Sequence, residues 1–145
     1  SIDANNIDEF SARLQDISAR IEYAPETEKV WQPDYVVPFK DLNHDSMNWL
    51  QRFEPFGPMN ETPLFCLEDV SIGSECRIVG SSHLKIKLVH EGVTLDAIAF
   101  GLGYLLEDLM SAKGNLTLVY IPLWNHFRGK KTIQLQIKAI LIEEQ

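Results

Sequence analysis

Polar and apolar side chains alternate strictly over residues 83–89, HLKIKLV. In an extended strand, successive side chains point to opposite faces, so one face of this segment is fully apolar and the other presents His83, Lys85 and Lys87. A strand of this kind buries its apolar face against a core and leaves its polar face in solvent. The segment therefore predicts an antiparallel sheet with one covered face and one open face.

From residue 64 onward the period of the apolar residues in the extended segments is two. It predicts five strands, at residues 64–79, 83–89, 93–100, 116–121 and 132–142. A short helix at residues 104–110 separates the third and fourth strands, and a loop at residues 122–131 separates the fourth and fifth. Three antiparallel strands, a helix and two further strands make the order of an OB barrel, a closed five-stranded sheet. We therefore predict an α+β chain in which an OB barrel follows a small helical segment.

Two details concern the first and third strands. Gly73 lies inside the first strand and allows a bulge or a bend there. The apolar residues of the third strand fall on both of its sides: Ile98 and Phe100 on one, Leu95, Ala97 and Ala99 on the other. The sequence leaves open which of these sides is buried.

The first 54 residues have a helical period instead. Apolar residues recur at steps of three and four over residues 7–21, which predicts an amphipathic helix with Asn6 as its N-cap. Two prolines restrict residues 31–39 to a short or edge strand, and a second helix begins near Asp45. Residues 1–54 are therefore expected to form a tail of helices and a short strand.

Residues 55–63 contain three prolines, a glycine and an asparagine. Such a composition is typical of an ordered, turn-rich connector. Because the periodicity and the charge balance also change here, we predict a domain boundary at this connector, followed by the barrel at residues 64–145. Phe56 in the connector either covers one end of the barrel or stacks on a base.

Charge is distributed unevenly along the chain, whose formal net charge is −8. Residues 1–75 hold 5 basic and 15 acidic residues, whereas residues 76–145 hold 8 basic and 6 acidic residues. Because non-specific binding to nucleic acid depends on neutralising phosphates, a chain this acidic does not attract nucleic acid as a whole. Any such contact must come from a local cluster of basic side chains.

The composition is that of a water-soluble globular domain, with 45% hydrophobic and 23% charged residues. No segment approaches the roughly 20 apolar residues that a membrane span needs. Acidic residues stand near the N-terminus where a signal peptide carries Lys or Arg, so we expect a cytoplasmic location and no membrane partner. Cys66 and Cys76 lack the spacing of a disulfide scaffold or a zinc ribbon.

An OB barrel binds oligonucleotides or oligosaccharides on the face of its second and third strands, framed by the loops between strands one and two and between strands four and five. The second strand offers His83, Lys85 and Lys87 on this face. The predicted loop at residues 122–131 adds two rings and three cations: Trp124, Phe127, Arg128, Lys130 and Lys131. Rings interleaved with cations are typical of single-strand binding, in which bases stack and phosphates are neutralised.

Each half of this candidate site also has an explanation without a ligand. Lysines on an exposed strand face increase solubility and discourage edge-to-edge pairing. Trp124 could simply cap the core. The sequence leaves both alternatives open.

The residues predict no catalytic group and no metal site. There is no phosphate-binding glycine loop with a Walker pattern, and no nucleophile stands beside a base in the sequence. Four histidines follow no spacing that is typical of metal ligands: His44, His83, His90 and His126. Each of them is expected at the surface.

Four segments, in chain order, carry a family resemblance. They are PFGPMNETPLF at residues 55–65, VGSSHLK at 79–85, LDAIAF at 95–100 and QLQI at 134–137. They resemble the C-terminal part of the RecJ family of single-strand-specific DNA exonucleases. Upstream, residues 1–14 resemble the segment that follows the glycine-glycine-histidine motif of the family's DHHA1-type domain. The chain thus resembles a fragment, made of the tail of that domain and an OB domain.

The resemblance implies the activity of a larger parent protein. RecJ proteins hydrolyse single-stranded DNA from the 5′ end in recombination and repair, and Asp and His motifs of their N-terminal DHH domain hold Mn²⁺ or Mg²⁺. None of those motifs is present here, so this fragment is expected to hold no cofactor and to be inactive alone. The strand-guiding role of the OB domain is carried over to five residues: His83, Lys85, Lys87, Trp124 and Arg128.

The resemblance also implies partners. These are single-stranded DNA, the missing N-terminal catalytic domains of the same protein and, as a candidate, single-strand-binding protein. A second hypothesis is a protein-interaction module, in which the barrel docks a repair partner or stabilises the nuclease core without touching DNA. Oligonucleotide binding distinguishes the two hypotheses.

Overall fold

The computed structural model describes residues 7–22, 31–52 and 62–143. Its helices are α1 (Ile7–Glu22), α2 (His44–Gln51) and α3 (Leu106–Ser111). Its strands are β1 (Tyr35–Val36), β2 (Phe65–Val79), β3 (His83–His90), β4 (Val93–Ala99), β5 (Leu116–Phe127) and β6 (Lys130–Ile142). No helix within these ranges is long and apolar enough to cross a membrane. The predicted cap Asn6 and the connector residue Phe56 lie outside the described residues.

Strands β2 to β6 close into a barrel. Neighbours in the sheet follow the order β2, β3, β4, β6, β5, and β5 pairs again with β2. All of these pairings are antiparallel except that of β4 with β6, which is parallel. A closed sheet of this order, with a helix between β4 and β5, is an OB barrel. The fold predicted from the sequence is therefore confirmed.

The alternation in β3 decides which side of the sheet is the core. Leu84 and Ile86 are fully buried, and they pair with Ala99 and Ala97 of β4. Because residues paired across antiparallel strands share a face, the alanine side of β4 points inward. Phe100 is consequently left outside and is 56% exposed.

The predicted loop at residues 122–131 is wrong. Strands β5 and β6 instead continue as a paired two-stranded ribbon as far as Phe127 and Lys130. The turn of the ribbon consists of Arg128 and Gly129, whose φ angles are 51° and 77°. Two consecutive positive φ angles are what a tight two-residue hairpin turn requires.

The proline at position 122 explains why a loop was predicted there. Proline cannot donate to a sheet ladder and usually argues against a strand. Among the described residues, however, β2 pairs with β5 only as far as Tyr120, so Pro122 lies in an edge segment, where proline is tolerated. Neither face of the ribbon is covered along its whole length, so its sequence lacks the apolar alternation that marks the other strands.

Residues 31–52 pack into the same core as the barrel. Strand β1 pairs in parallel with the start of β2, and the Tyr120 hydroxyl donates a hydrogen bond of 2.6 Å to the carbonyl of Val37. Phe39 is only 1% exposed. Its ring contacts those of His90 and Tyr120 edge-on, at centroid distances of 5.8 and 6.1 Å. Phe39, which comes from the segment before the barrel, is therefore an aromatic plug: its ring fills the space between His90 and Tyr120.

His90 contradicts the expectation that each histidine lies at the surface. It is 7% exposed, and its Nδ1 has no hydrogen-bond partner among the described residues. The alternation of β3 places it on the inward face, against the Phe39 plug. Burial lowers the pKa of His90. Nearby charges modify this effect: Glu91 and Asp69 oppose it, whereas Arg13 and Lys40 reinforce it.

Acidification is therefore expected to destabilise the fold through His90. The unfolded chain takes up a proton near the ordinary pKa of 6.5, whereas the folded chain resists protonation until its lower pKa is reached. The contribution of His90 to stability should be fully present above pH 6.5 and be lost as the pH falls toward the folded pKa. Urea unfolding at about pH 7.5 and about pH 5.5, above the range in which ordinary carboxyl groups titrate, measures this loss.

Two histidine variants isolate the effect. His90→Leu should remove most of the loss of stability on acidification, because no proton is then excluded from the core. His126→Gln changes an exposed histidine and should leave the loss intact. An equal loss in His90→Leu and the wild type would contradict the assignment.

Candidate nucleic-acid interface

Two neighbouring strands, β2 and β3, bring basic side chains together on the outside of the barrel, beside β4. Lys85 in β3 pairs with Arg77 in β2 and with Ile98 in β4, and Lys87 pairs with Asp96. Because paired residues share a face, these side chains lie on one outward side of the sheet. We call the surface formed by Arg77, Lys85, Lys87, Asp96 and Ile98 the outer face.

Two of the three cations on the outer face have carboxylate partners. Arg77 Nε lies 2.6 Å from Glu75 Oε1, and Lys87 Nζ lies 3.1 Å from Asp96 Oδ1. The hydrogen bond from Arg77 lowers the pKa of Glu75, and the charges of Lys85 and Lys87 lower it further. Lys85 has no ion pair with any described residue. Its ammonium group is therefore the cation of this face that is most available to a phosphate.

His83 is held by backbone next to the outer face. Its Nδ1 accepts a hydrogen bond of 2.9 Å from the N–H of Gly101. Its ring lies 5.2 Å from the ring of Phe100, nearly perpendicular to it at 79°. His83 is thus tied both to the backbone of Gly101 and to the ring of Phe100.

Trp124 lies on the other side of the sheet from Lys85. The alternation of β5 places it on the side that continues the barrel interior. Its ring lies 5.6 Å from the ring of His44 in α2, and Lys131 Nζ lies 4.2 Å from the ring centre. The indole N–H is buried without a partner among the described residues. Trp124 therefore packs between the ribbon and α2, and the structure does not bring it together with the lysines of β3.

The end of the ribbon combines an exposed ring with three cations. Phe127 is 65% exposed, and the guanidinium carbon of Arg128 lies 5.1 Å from the centre of its ring. Arg128, Lys130 and Lys131 have no ion pair with any residue in the described ranges. We call residues 126–131 the ribbon tip. The ring and the cations that the sequence predicted for a loop therefore lie on a paired hairpin.

The outer face lies between two turns at its opposite ends. Strand β3 begins after the turn at residues 80–82, and β4 begins after the turn at residues 91–92. Since β6 runs parallel to β4, the ribbon tip, which leads into β6, lies toward the end where β4 begins. The turn at 80–82 and the ribbon turn are the two connections that frame the ligand face of an OB barrel.

Sequence reasoning missed Arg77 and Phe100. Arg77 stands between Cys76 and Ile78, so the alternation of the first barrel strand could have placed it beside Lys85. No comparable signal exists for Phe100, because apolar residues occupy both sides of its strand. Its exposure depends on which side the core of the barrel selects.

The described residues do not fit a Mn²⁺ or Mg²⁺ centre. Within residues 7–22, 31–52 and 62–143, no three His, Cys, Asp or Glu side chains lie close enough together to hold a metal ion. Cys66 and Cys76 are not joined by a disulfide, and burial raises the pKa of the Cys76 thiol.

A closed barrel of this strand order, with basic groups on an open face between two turns, defines the class of protein as an OB domain. Residues 33–139 match the family model for the RecJ OB domain, and the chain belongs to that family. The match begins at residue 33 and so includes β1 and α2 as well as the barrel.

Two related proteins align with nearly the whole chain. The single-stranded-DNA-specific exonuclease RecJ of Bacillus subtilis (strain 168) is 23% identical over 146 residues, which cover 99% of this chain and 18% of the relative. The protein of the same name from Dickeya dadantii (strain 3937) is 29% identical over 142 residues, which cover 97% of this chain and 24% of the relative.

A solved structure shares the fold. The crystal structure of RecJ in complex with Mg²⁺ from Thermus thermophilus has a TM-score of 0.61 and 22% sequence identity, over 100% of this chain and 21% of that one. The structure of the same protein with Mn²⁺ gives the same TM-score and identity. The chain therefore spans about a fifth of the length of these relatives.

Proposed function

We propose that this chain is the OB-domain part of a RecJ-like exonuclease that digests single-stranded DNA from its 5′ end in recombination and repair. The barrel binds and guides the strand, whereas other parts of the protein hold Mn²⁺ or Mg²⁺ and cleave it. The family membership and the names of the relatives support this proposal. The chain alone is expected to bind DNA without cleaving it.

The observation that carries the proposal is the unpaired ammonium group of Lys85 on the outer face. Arg77 and Lys87 flank it, and their ion pairs are exposed enough for a phosphate to compete with the carboxylates. A strand that runs from the outer face to the ribbon tip meets cations at both places. Because the net charge of −8 repels DNA, the affinity should depend on these local contacts and fall steeply with salt.

Replacing Lys85 with glutamine tests the proposal. One phosphate contact to a single strand releases about 0.7 of a counterion, so losing it should weaken binding about fivefold at about 0.1 M salt. The slope of log affinity against log salt should become shallower by about 0.7. Fluorescence anisotropy of a labelled oligodeoxynucleotide at low and moderate salt measures both quantities.

Lys113→Gln is the matched control, because it changes the net charge equally at an exposed position in the loop before β5. It should leave the affinity close to that of the wild type. Equal binding by the Lys85 and Lys113 variants would remove the outer face from the proposal. Absence of binding by the wild type at low salt would reject the DNA-binding role of this chain.

A protein-interaction module is the second candidate function, and two exposed apolar side chains favour it. Tyr104 is 68% exposed and Met110 is 65% exposed, both between β4 and β5. Such side chains suit a protein partner, either the catalytic domains of the same protein or single-strand-binding protein. A pull-down of single-strand-binding protein that survives changes at Lys85, without oligonucleotide binding, would favour this function.

A further inference from the structure

We propose that Phe100 is a stacking seat for one nucleobase and that His83 positions its ring at the end of the outer face. This inference rests on the proposed function, since it names the side chain that a base would contact while a phosphate contacts Lys85. It assigns to His83 a role in holding the seat through contacts within the protein.

The exposure of Phe100 is the first observation behind this inference. Its ring is 56% exposed although it follows directly after a strand whose inward-facing alanines are fully buried. It lies beside His83, on the outward side that also carries Lys85 and Ile98. Aromatic rings stabilise single-strand complexes by stacking on bases, and cations next to them attract the backbone.

Hydrogen bonds hold the turn that carries Phe100. Residues 99–102 form a turn in which the N–H of Leu102 donates to the carbonyl of Ala99 at 3.4 Å. Gly101, the third residue of this turn, has a φ of 73°, a conformation that glycine adopts without strain. The N–H of Gly101 donates to His83 Nδ1, so one imidazole contacts both the turn and the ring that the turn carries.

A second backbone link holds the same turn against the start of β3. The N–H of Gly103 donates to the carbonyl of Ser82 at 2.8 Å. A Cβ atom at position 103 would lie 2.7 Å from that oxygen, so only glycine permits this approach. Because the ring is held before any ligand arrives, little conformational entropy is lost when a base stacks on it.

The spacing along β3 brings the seat close to Lys85. His83 and Lys85 are two residues apart in a strand, about 6.6 Å. The Phe100 ring, which contacts His83, and the Lys85 side chain are thus neighbours on one side of the sheet. A strand can therefore stack a base on Phe100 while a phosphate meets the unpaired Lys85 ammonium.

Phe100→Leu tests the seat, since it keeps an apolar side chain but removes the aromatic face. Binding of a labelled oligodeoxythymidylate, measured by anisotropy, is expected to weaken at least about fivefold, the lower end of the effect of losing one stacked base. The slope of log affinity against log salt should stay unchanged, because no phosphate contact is lost. Phe100→Trp keeps a stacking surface and should retain the wild-type affinity.

Three further arms make the result specific. An oligodeoxynucleotide of abasic sites should bind the wild type and Phe100→Leu equally. Tyr35→Leu, which removes an exposed ring from β1, should bind like the wild type. His83→Asn, whose amide oxygen can accept the Gly101 N–H, should retain affinity, whereas His83→Leu should lose it with the same unchanged salt slope.

The outcomes distinguish this inference from the function on which it rests. If the wild type binds the oligonucleotide and Phe100→Leu binds it equally well, the seat is rejected and DNA binding stands. A loss of affinity that is the same on the abasic strand would also overturn the seat. If the wild type does not bind at all, the proposed function and the seat fail together.

Discussion

Phe39→Ala is expected to lower the free energy of unfolding by about 3–5 kcal/mol. The Phe39 side chain is 1% exposed and fills the end of the barrel between the rings of His90 and Tyr120. Truncating it loses the transfer free energy of the ring and leaves a cavity that the closed sheet cannot collapse to fill. Such a loss is a large fraction of the roughly 5–15 kcal/mol by which ordinary domains are stable.

Urea unfolding followed by tryptophan fluorescence and by circular dichroism measures this effect. Phe127→Ala is the matched control, because its ring is 65% exposed and lies on the ribbon tip; it should change the stability little. Because residues 31–52 share a core with the barrel, both probes should report one transition in the wild type. An unchanged unfolding midpoint in Phe39→Ala would contradict the shared core.

Replacing Arg128, Lys130 and Lys131 together with glutamine is expected to weaken binding to single-stranded DNA about 100-fold at about 0.1 M salt. These three cations lie within four residues and have no ion pair with any described residue. If each of them meets one phosphate, three contacts are lost at about fivefold each, and the salt slope falls by about 2. Lys130 and Lys131 extend from opposite faces of the ribbon, so a strand that meets all three cations crosses the end of the hairpin and draws Lys131 away from the Trp124 ring.

A second triple variant controls for net charge. Lys40, Arg52 and Lys113 are exposed cations outside the ribbon tip, and changing all three to glutamine alters the net charge by the same amount. This variant should lose little affinity. Equal losses in the two triple variants would mean that the overall charge, and not the ribbon tip, governs binding.

The strands of the barrel could be predicted from the sequence because burial of one face makes apolar and polar residues alternate along each strand. Leu84 and Ile86 alternate with lysines, and the structure buries the former and leaves the latter partly exposed on the same strand. The ribbon has no such alternation of apolar and polar residues, since it extends beyond the core. Its proline, Pro122, lies at an edge position, where a strand tolerates proline. His90 was misplaced because a histidine next to a turn signal is usually exposed, whereas the packing of Phe39 covers it.

For the candidate site, the sequence could predict which side chains are present but not how they are arranged. The sequence identified the cations and rings, but their relative positions depend on the closure of the sheet. Trp124 and Lys85 stand on opposite sides of that sheet, which no local pattern reveals. The register between β3 and β4 places Asp96 opposite Lys87 and Ile98 opposite Lys85. Lys87 therefore has an ion pair across the strands, whereas Lys85 faces an apolar residue.

Amide NMR spectra of the nitrogen-labelled chain, recorded while an unlabelled oligodeoxynucleotide is added, test most directly whether the open side of the barrel binds single-stranded DNA. We expect progressive shifts in β3, in the turn at residues 99–102 and in the ribbon tip. The amides of α1, on the other hand, should keep their positions. Shifts confined to α3 and the loop that follows it, or a spectrum that does not change at low salt, would contradict the account.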